Sequence, residues 1–341
     1  MTFLLSGHTI KDIEIKTGTI KGYMDVINKY YKQHNFNEPF DPESDSGAAR
    51  LLREQKKFEQ DPERRAPLPD MAYVKMHELA REDPLGLRAA IFDIAALGRL
   101  GGFRQQEYAM DTKTKIKTYL LPNGTEVTRA FCLKNILFRD KEKRRIHHPL
   151  LQKGLIAETG QQYDVQKNRR NGQIIWMAED KQHKVYCPVE LSLSLVWRAE
   201  TLGQGPEDPL CVYKGKTNKV EFLTGKEVTE YFRFIVKLTN PSITNEELKL
   251  ISTHSIRVTA CVLLAEAGKE GWYIKLRLRW LSDCYEVYIR DTSRLALMHN
   301  EALCTVNDRL EAVPVTPTNL PEIIEESGII DCVPYELEDE D

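Results

Sequence analysis

Two Asn-Gly pairs, Asn123-Gly124 and Asn171-Gly172, constrain the fold of this chain more than any other feature of its sequence. Each lies between strand-like runs, and Asn-Gly is the dipeptide that tight hairpin turns prefer, because both residues tolerate a positive φ. Another strand is predicted at 107–111. Helical periodicity occurs on both sides of this region, at 70–82, 85–101, 188–202, 224–238, 244–251 and from 253 to about 310. This order predicts a mostly helical α+β fold with a small antiparallel sheet, and not a β-α-β alternation.

Composition divides the chain into three parts. Residues 61–70, DPERRAPLPD, contain three prolines without periodicity and are predicted to be a linker. We therefore expect a small all-helical domain at 1–66, a larger domain at 67–310 and an acidic tail at 311–341 that is predicted to be disordered. The helical pattern of 8–34 also fits a helix-turn-helix, although any small helical domain shows the same pattern.

The charge is unevenly distributed. The net charge is −3, but nine acidic residues and no lysine or arginine lie between Leu320 and Asp341. The rest of the chain has 48 basic and 42 acidic side chains, a net charge of +6. This balance is compatible with a nucleic-acid partner but does not by itself indicate one.

The cysteines and apolar runs exclude several classes. The seven cysteines are scattered and contain no CxxC pair, which argues against a disulfide framework and a structural zinc site. No metal or cofactor is implied. No apolar run approaches the roughly 18 residues of a membrane span, and the first residues are too soon charged for a signal peptide. We expect an intracellular protein without membrane association.

A histidine and an arginine open the helix that begins in STHSIR. Thr253 or Ser252 can cap this helix, and His254 and Arg257 then share one face at its positive end. The pair predicts an anion site, although an HxxR pair alone also fits an ordinary surface pair.

Four further side chains complete a set. Arg104 follows a Gly-Gly break, with Glu107 three residues on, and Trp280 stands eight residues before Tyr288. In this order and at these separations, GGFRxxE, HxxR, Trp and Tyr resemble the active-site set of the tyrosine recombinases, the phage integrase family. The resemblance covers roughly 68–295, and the helical part before it resembles an incomplete core-binding domain of that family.

The resemblance implies a lysine on a hairpin between the two arginines. Lys167, in QKNRRNGQ, is the candidate beside a tight turn. Lys134 and Lys141 compete with it, but no comparable hairpin pairing is visible around them in the sequence.

The resemblance also implies a metal-independent reaction on DNA. Two guanidinium groups would hold the scissile phosphate, a tyrosine would form a 3′-phosphotyrosyl link, and the lysine would protonate the departing 5′ oxygen. In this resemblance Arg104 and Arg257 bind the phosphate, Tyr288 attacks it and Lys167 is the general acid. His254 would donate a hydrogen bond to a phosphate oxygen or shuttle a proton. Trp280 would pack and donate a hydrogen bond through its indole N–H, and Glu107 would orient neighbouring groups.

The family's usual partner is double-stranded DNA, on which its members assemble, usually as tetramers. The protein would then act in the cytoplasm or nucleoid of a prokaryote, or in the nucleus of a eukaryote.

Tyr285 is a rival nucleophile. The family commonly has a spacing of nine residues from this His or Trp to the tyrosine, whereas the spacing from Trp280 to Tyr288 is eight. A catalytically inactive DNA-binding protein with this fold, and a type IB topoisomerase, are the alternative functions.

Overall fold

The computed structural model describes residues 17–40, 47–58, 64–116, 118–120, 124, 126–164, 171–283, 285–289 and 297–298. The chain divides into two compact units, Met1–Glu63 and Arg64–Asp341. The predicted domain limits at 66 and 310 stay predictions. The acidic tail lies outside the described residues.

The first unit contains two described helices, α1 (Thr17–Gln33) and α2 (Gly47–Phe58). In α1, Ile20, Met24 and Asn28 are buried at a spacing of four residues, the period of one helical face. The Asn28 amide accepts a hydrogen bond from the backbone N–H of Phe40 at 3.1 Å, so this side chain fixes the segment that follows the helix. The first helix of the predicted helix-turn-helix, 8–15, lies outside the described residues.

The second unit has the predicted fold class, mostly helical with small antiparallel sheets. Its helices are α3 (Asp70–Ala80), α4 (Leu87–Gly101), α5 (Pro188–Thr201), α6 (Gly225–Thr239), α7 (Asn245–Lys249), α8 (Ser255–Glu266), α9 (Gly271–Leu278) and α10 (Glu286–Ile289). Its strands are β1 (Thr118–Leu120), β2 (Glu126–Thr128), β3 (Ile136–Arg139), β4 (Arg145–Ile146), β5 (Glu158–Tyr163), β6 (Gln173–Ala178), β7 (Val212–Lys214) and β8 (Val220–Phe222). None of the helices in the described part of the chain is long and apolar enough to cross a membrane.

The strands form three antiparallel sheets. Strands β1 and β2 pair on either side of the predicted turn, where Gly124 has φ +81°. Strands β4-β3-β5-β6 form the largest sheet in that order, and Gly172, with φ +75°, follows the connection of its β5–β6 hairpin. Strands β7 and β8 form the third sheet. The two hairpins predicted around the Asn-Gly pairs are therefore present, while most of the residues that connect their strands lie outside the described residues.

Two strand predictions were wrong. Residues 105–107 form a 3₁₀ turn and 107–111 form no strand, because the Glu107 carboxylate bonds the backbone N–H of Arg104 and closes a turn there. Conversely, 136–146 does form a hairpin, between β3 and β4. Three of the four residues of β3 are buried, so the strand lacks the alternation that marks a strand in sequence.

Helix α4 forms the centre of the core. Ten consecutive residues from Ala89 to Gly98 are buried, and the helix packs against α3, α5 and α8. At Gly98 an added Cβ would lie 2.5 Å from the Ile256 side chain, so glycine permits the close approach of α4 and α8. This contact brings the end of α4 beside the beginning of α8, where the site residues lie.

Candidate active site

Four chain segments converge on one cleft of about 660 Å³. The first follows α4, the second leads into and begins α8, the third follows α9, and the fourth follows β2 and contributes Arg129. The cleft is lined by Arg104, Gln105, Gln106, Glu107, Ala109, Asp111, Arg129, Thr253, His254, Arg257, Arg279, Trp280, Leu281 and Ser282. Five of the seven predicted site residues are among them.

The turn after α4 positions Arg104. Gly102 adopts φ +58°, and an added Cβ would lie 2.6 Å from Leu278, so the turn requires glycine. The Glu107 carboxylate then accepts from the backbone N–H of Arg104 at 2.8 Å and from its Nη1 at 3.1 Å. The Arg104 side chain keeps 24% of its surface exposed and faces the cleft.

Arg257 is held in the wall of the cleft. It is 2% exposed, and its guanidinium donates to the carbonyls of Gly102 at 2.6 Å and Leu278 at 2.5 Å. It also lies 4.7 Å from the centre of the Trp280 ring. Burial, followed by the positive charges of Arg104 and Arg279, lowers the pKa of Arg257 to about 9. Arg257 therefore joins the turns after α4 and α9 and adds positive charge to the cleft.

A third arginine was missed by sequence reasoning. Arg279 is fully buried, and its Nη2 lies 2.7 Å from the Glu107 carboxylate. Its backbone carbonyl accepts from Arg104 Nη2 at 3.1 Å. In the sequence, KLRLRW presents Arg277 and Arg279 alike, and only the packing places Arg279 inside.

His254 and Tyr288 meet at the edge of the cleft. His254 Nε2 and the Tyr288 hydroxyl are 3.0 Å apart, although the two residues are separated by 34 positions. Burial, and then the positive charges of Arg257 and Arg65, lower the pKa of His254 below 6.5. The imidazole is therefore neutral at pH 7 and can accept a proton.

The rings of both candidate tyrosines lie beside Trp280, but their hydroxyls have different surroundings. Its ring stacks on that of Tyr285 at 5.9 Å and lies 5.9 Å from that of Tyr288. Tyr285 is 7% exposed, and its hydroxyl lies against Gly271, 1.9 Å from where a Cβ on that glycine would stand. Burial raises the pKa of Tyr285. Tyr288 is the tyrosine that contacts His254.

The predicted lysine lies outside the described residues. The β5–β6 hairpin between the two arginines is present, and Lys167 belongs to its connection, 165–170. The rival Lys134 lies 2.5 Å from Glu207, and neither it nor Lys141 lines the cleft. Because β3 and β4 form a hairpin, the expectation that no hairpin pairing surrounds Lys141 was wrong.

Two further lining residues were also missed. The Gln105 amide oxygen accepts from the Thr253 hydroxyl at 2.8 Å, which joins the first and second segments. Arg129 donates to Gln106 at 2.7 Å and lies over the Tyr119 ring. Neither has a spacing that the sequence could have singled out.

The chemistry of the cleft favours an anion. Arg104 and Arg279 pair with the Glu107 carboxylate, and the buried Arg257 adds a third positive charge. Arg129 and Asp111, which also line the cleft, carry opposite charges, so the lining keeps an excess of positive charge. Guanidinium groups bind phosphate oxygens with a planar fork of donors. Among the described residues, no group of three or more His, Cys, Asp or Glu side chains is placed to hold a metal ion.

Sulfate is expected to stabilise the protein beyond its general salt effect. A bound anion opposes the repulsion between Arg104, Arg257 and Arg279, and it binds only the folded state. At a sulfate concentration of ten times Kd, the free energy of unfolding should rise by about 1.4 kcal/mol. Thermal unfolding in sodium sulfate and sodium chloride at equal ionic strength measures this rise.

The Arg104→Gln variant is the control for that experiment, because sulfate also stabilises proteins by exclusion from their surface. The specific part of the rise should disappear in the variant while the general part stays. Equal gains in both proteins would contradict an anion site at Arg104.

Comparisons with known proteins add structural similarity at low sequence identity. No protein-family model matches the sequence, and no curated protein matches it significantly. The Tn1549 transposon integrase in complex with transposon right end DNA gives a TM-score of 0.43 at 14% identity, covering 84% of this chain and 79% of that chain. XerA recombinase gives 0.38 at 12%, covering 84% and 76%. A lambda integrase dimer bound to a COC' core site gives 0.38 at 14%, covering 82% and 91%. These similarities cover most of the chain, and the roles of its residues rest on its own geometry.

Proposed function

We propose that this protein is a site-specific DNA recombinase that cleaves and rejoins DNA strands through a 3′-phosphotyrosyl intermediate. The observation that carries the proposal is the contact of the Tyr288 hydroxyl with His254 Nε2 at the edge of an arginine-lined cleft. A nucleophile, a proton acceptor and an anion site meet there.

The phosphate would bind between Arg104 and Arg257. Attack on a phosphodiester adds negative charge to its nonbridging oxygens, and fixed cations in a water-poor site stabilise that charge. Arg104 is partly exposed and can donate directly to these oxygens. Arg257 is bound to two backbone carbonyls, so it would act through its charge and through the turns that it holds.

His254 would take the proton of the attacking phenol. A tyrosine hydroxyl has an ordinary pKa near 10, so it needs a base or a positive environment to attack near neutral pH. A neutral imidazole protonated on Nδ1 accepts the Tyr288 proton at Nε2. The resemblance implied that His254 either donates a hydrogen bond to a phosphate oxygen or shuttles a proton, and the geometry supports the second role.

The step balances as a transesterification. The Tyr288 oxygen forms a bond to phosphorus, the bond to the 5′ oxygen breaks, and that oxygen takes a proton. The resemblance assigns this proton to Lys167, which we retain as the proposed acid. The reverse step rejoins the strand without an external energy source, because the phosphotyrosyl ester keeps the energy of the broken bond.

We propose double-stranded DNA as the partner, with self-association on it as a tetramer. Such a substrate would place the protein with DNA, in the nucleoid or the nucleus.

The direct test is capture of the covalent intermediate. The full chain is incubated with nicked duplexes whose sequence is randomised around the nick, so that the cleaved fragment diffuses away and religation is prevented. We expect an adduct that resists detergent and is digested by protease, with Tyr288 as the modified residue in mass spectrometry. Sequencing of the trapped DNA would give the target.

One observation favours a second candidate, a DNA-binding protein without catalysis. Both terminal nitrogens of Arg257 bond backbone carbonyls, as in a purely structural arginine. Salt-dependent DNA binding with no adduct from any sequence in the pool would support this candidate. Relaxation of supercoiled plasmid without sequence preference would indicate a topoisomerase instead.

The rate of adduct formation is expected to fall in acid. Because burial lowers the pKa of His254 below that of a free imidazole, the neutral form persists to a lower pH than in an exposed histidine, and the rate should stay level through the neutral range. Below that range the imidazole gains a proton and the rate should drop. Single-turnover rates across the pH range measure the profile.

The His254→Gln variant should be slow at all pH values and lack this acid limb. A wild-type rate that increases on acidification through pH 6.5 would mean that the imidazolium form acts, and would contradict proton acceptance by His254.

A further inference from the structure

Arg279 combines three features that are costly to place together. It is a charged residue with no exposed surface, it adopts φ +58°, and it ends α9 immediately before Trp280. Residues other than glycine rarely adopt the left-handed conformation, and such strain persists only where the surroundings impose it. The position is therefore one where the guanidinium itself serves a purpose.

Arg279 contacts Glu107, Tyr163 and Gly101. Nη2 lies 2.7 Å from Glu107 Oε2, while Nη1 donates to the Tyr163 hydroxyl at 2.6 Å and to the Gly101 carbonyl at 3.1 Å. The guanidinium also lies over the Tyr163 ring, 3.7 Å from its centre. The β5 strand and the end of α4 therefore fix where Arg279 holds the carboxylate.

Glu107 connects Arg279 to Arg104. Its Oε1 accepts from Arg104 Nη1 at 3.1 Å, and its Oε2 accepts from the backbone N–H of Arg104. The Arg279 carbonyl accepts from Arg104 Nη2. Arg279 thus determines the position of the Arg104 guanidinium twice, through its own backbone and through the shared carboxylate.

The net charge around the phosphate differs with and without the Arg279 guanidinium. With Arg279 present, the buried carboxylate has its own counter-ion, and the charges of Arg104 and Arg257 both face the cleft. Without it, Glu107 would be neutralised by Arg104, and the net charge around the phosphate would fall from two to one. A phosphodiester carries one negative charge, and attack by a phenolate brings a second, so the larger positive charge matches the transition state.

We propose that Arg279 is a positioning residue that serves as the counter-ion of Glu107 and thereby leaves Arg104 charged and oriented for the phosphate. This inference rests on the proposed function for its catalytic consequence. Its electrostatic part concerns any anion in the cleft.

The chain contains a matched pair outside the cleft. Arg198 is 1% exposed and ion-paired with the buried Asp93, and neither residue lines the cleft. Arg198→Met should lower stability, as expected for loss of a buried ion pair, while leaving the rate of adduct formation per folded molecule unchanged. This variant separates general destabilisation from an effect on the site.

The experiment compares Arg279→Met, Arg279→Met/Glu107→Gln and Arg279→Lys with the wild type. Methionine has a similar length and the same backbone restriction, so it removes the charge without relieving the strain. Single-turnover adduct formation is measured at saturating DNA, and DNA affinity is measured separately. We expect Arg279→Met to be slower by about 100-fold, a loss of the size seen when one transition-state donor is removed, with DNA affinity little changed.

The double variant decides between counter-ion and packing. Glu107→Gln removes the uncompensated carboxylate, so the rate should recover by about tenfold from the single variant, and Arg279→Lys should stay within about tenfold of the wild type. The inference would be overturned if Arg279→Met formed adducts as fast as the wild type. It would also be overturned if the double variant were no faster than Arg279→Met. Should Arg279→Met not fold, a 100-fold loss in Arg279→Lys would overturn it.

Sulfate affinity distinguishes failure of this inference from failure of the proposed function. If the wild type forms no adduct with any DNA in the pool, the recombinase proposal fails. The counter-ion role then still requires sulfate to bind more weakly to Arg279→Met and to regain affinity in the double variant. Equal sulfate affinities in the wild type, Arg279→Met and the double variant would overturn the counter-ion role, whatever the outcome of the adduct experiment.

Discussion

Replacing Tyr288 with phenylalanine is expected to reduce covalent adduct formation by on the order of 10⁴-fold or more, the size of loss seen when an enzyme loses its nucleophile. The change removes only the hydroxyl that meets His254, and it leaves the ring that lies 5.9 Å from Trp280 in place. Stability and DNA affinity should therefore stay close to those of the wild type. Detergent-resistant adducts on the randomised nicked duplexes measure the loss.

Tyr285→Phe is the matched control, three residues away on the same turn. Its hydroxyl lies against Gly271 and not at His254, so we expect adduct formation within about tenfold of the wild type. The reverse outcome, with adducts from Tyr288→Phe and none from Tyr285→Phe, would identify Tyr285 as the nucleophile and would contradict the proposed role of Tyr288.

Arg104→Met is expected to slow adduct formation by about 10³-fold while DNA affinity changes much less. Of Arg104, Arg257 and Arg279, Arg104 has the most exposed side chain and can donate to a phosphate oxygen directly. Losing a charged donor aimed at the transition state costs about 10²–10³-fold in comparable sites. The upper end is expected here, because the variant also removes one of the two arginines that pair with the Glu107 carboxylate. Single-turnover rates and binding isotherms on the trapped DNA sequence separate the two effects.

Arg99→Met is the control for this prediction. Arg99 lies in the last turn of α4, before the turn that carries Arg104, its side chain is 18% exposed, and it forms an ion pair with Asp70 outside the cleft. We expect a rate close to that of the wild type. A comparable loss in both variants would show that the effect reflects general charge or stability and not phosphate binding.

Local features of the site could be predicted from the sequence because they depend on neighbouring residues. The Gly-Gly break predicts the end of α4, where Gly102 adopts a positive φ. Arg104 and Glu107, three apart, form a contact within one turn. His254 and Arg257 stand at the start of one helix and both line the cleft.

Other features depended on packing between distant segments. The resemblance favoured Tyr288, eight residues after Trp280, over Tyr285, which follows after five, but it left Tyr285 as a rival. Only the fold shows which hydroxyl reaches His254, because that contact joins residues 34 positions apart. The β3–β4 hairpin was likewise missed, since a strand buried on both faces has no alternation to mark it.

The sequence by itself determined the mostly helical α+β class, the two Asn-Gly hairpins and the residue types that make a cationic site, because periodicity, turn preference and short spacings act within a few residues. Only the tertiary structure decided that Arg279 lies buried against Glu107, 172 positions away, while Arg277 two residues earlier bonds the Trp176 carbonyl. The physical reason is that burial and the pairing of charges depend on which segments pack together, and the same KLRLRW hexapeptide would present both arginines to water if α4 and α9 did not meet.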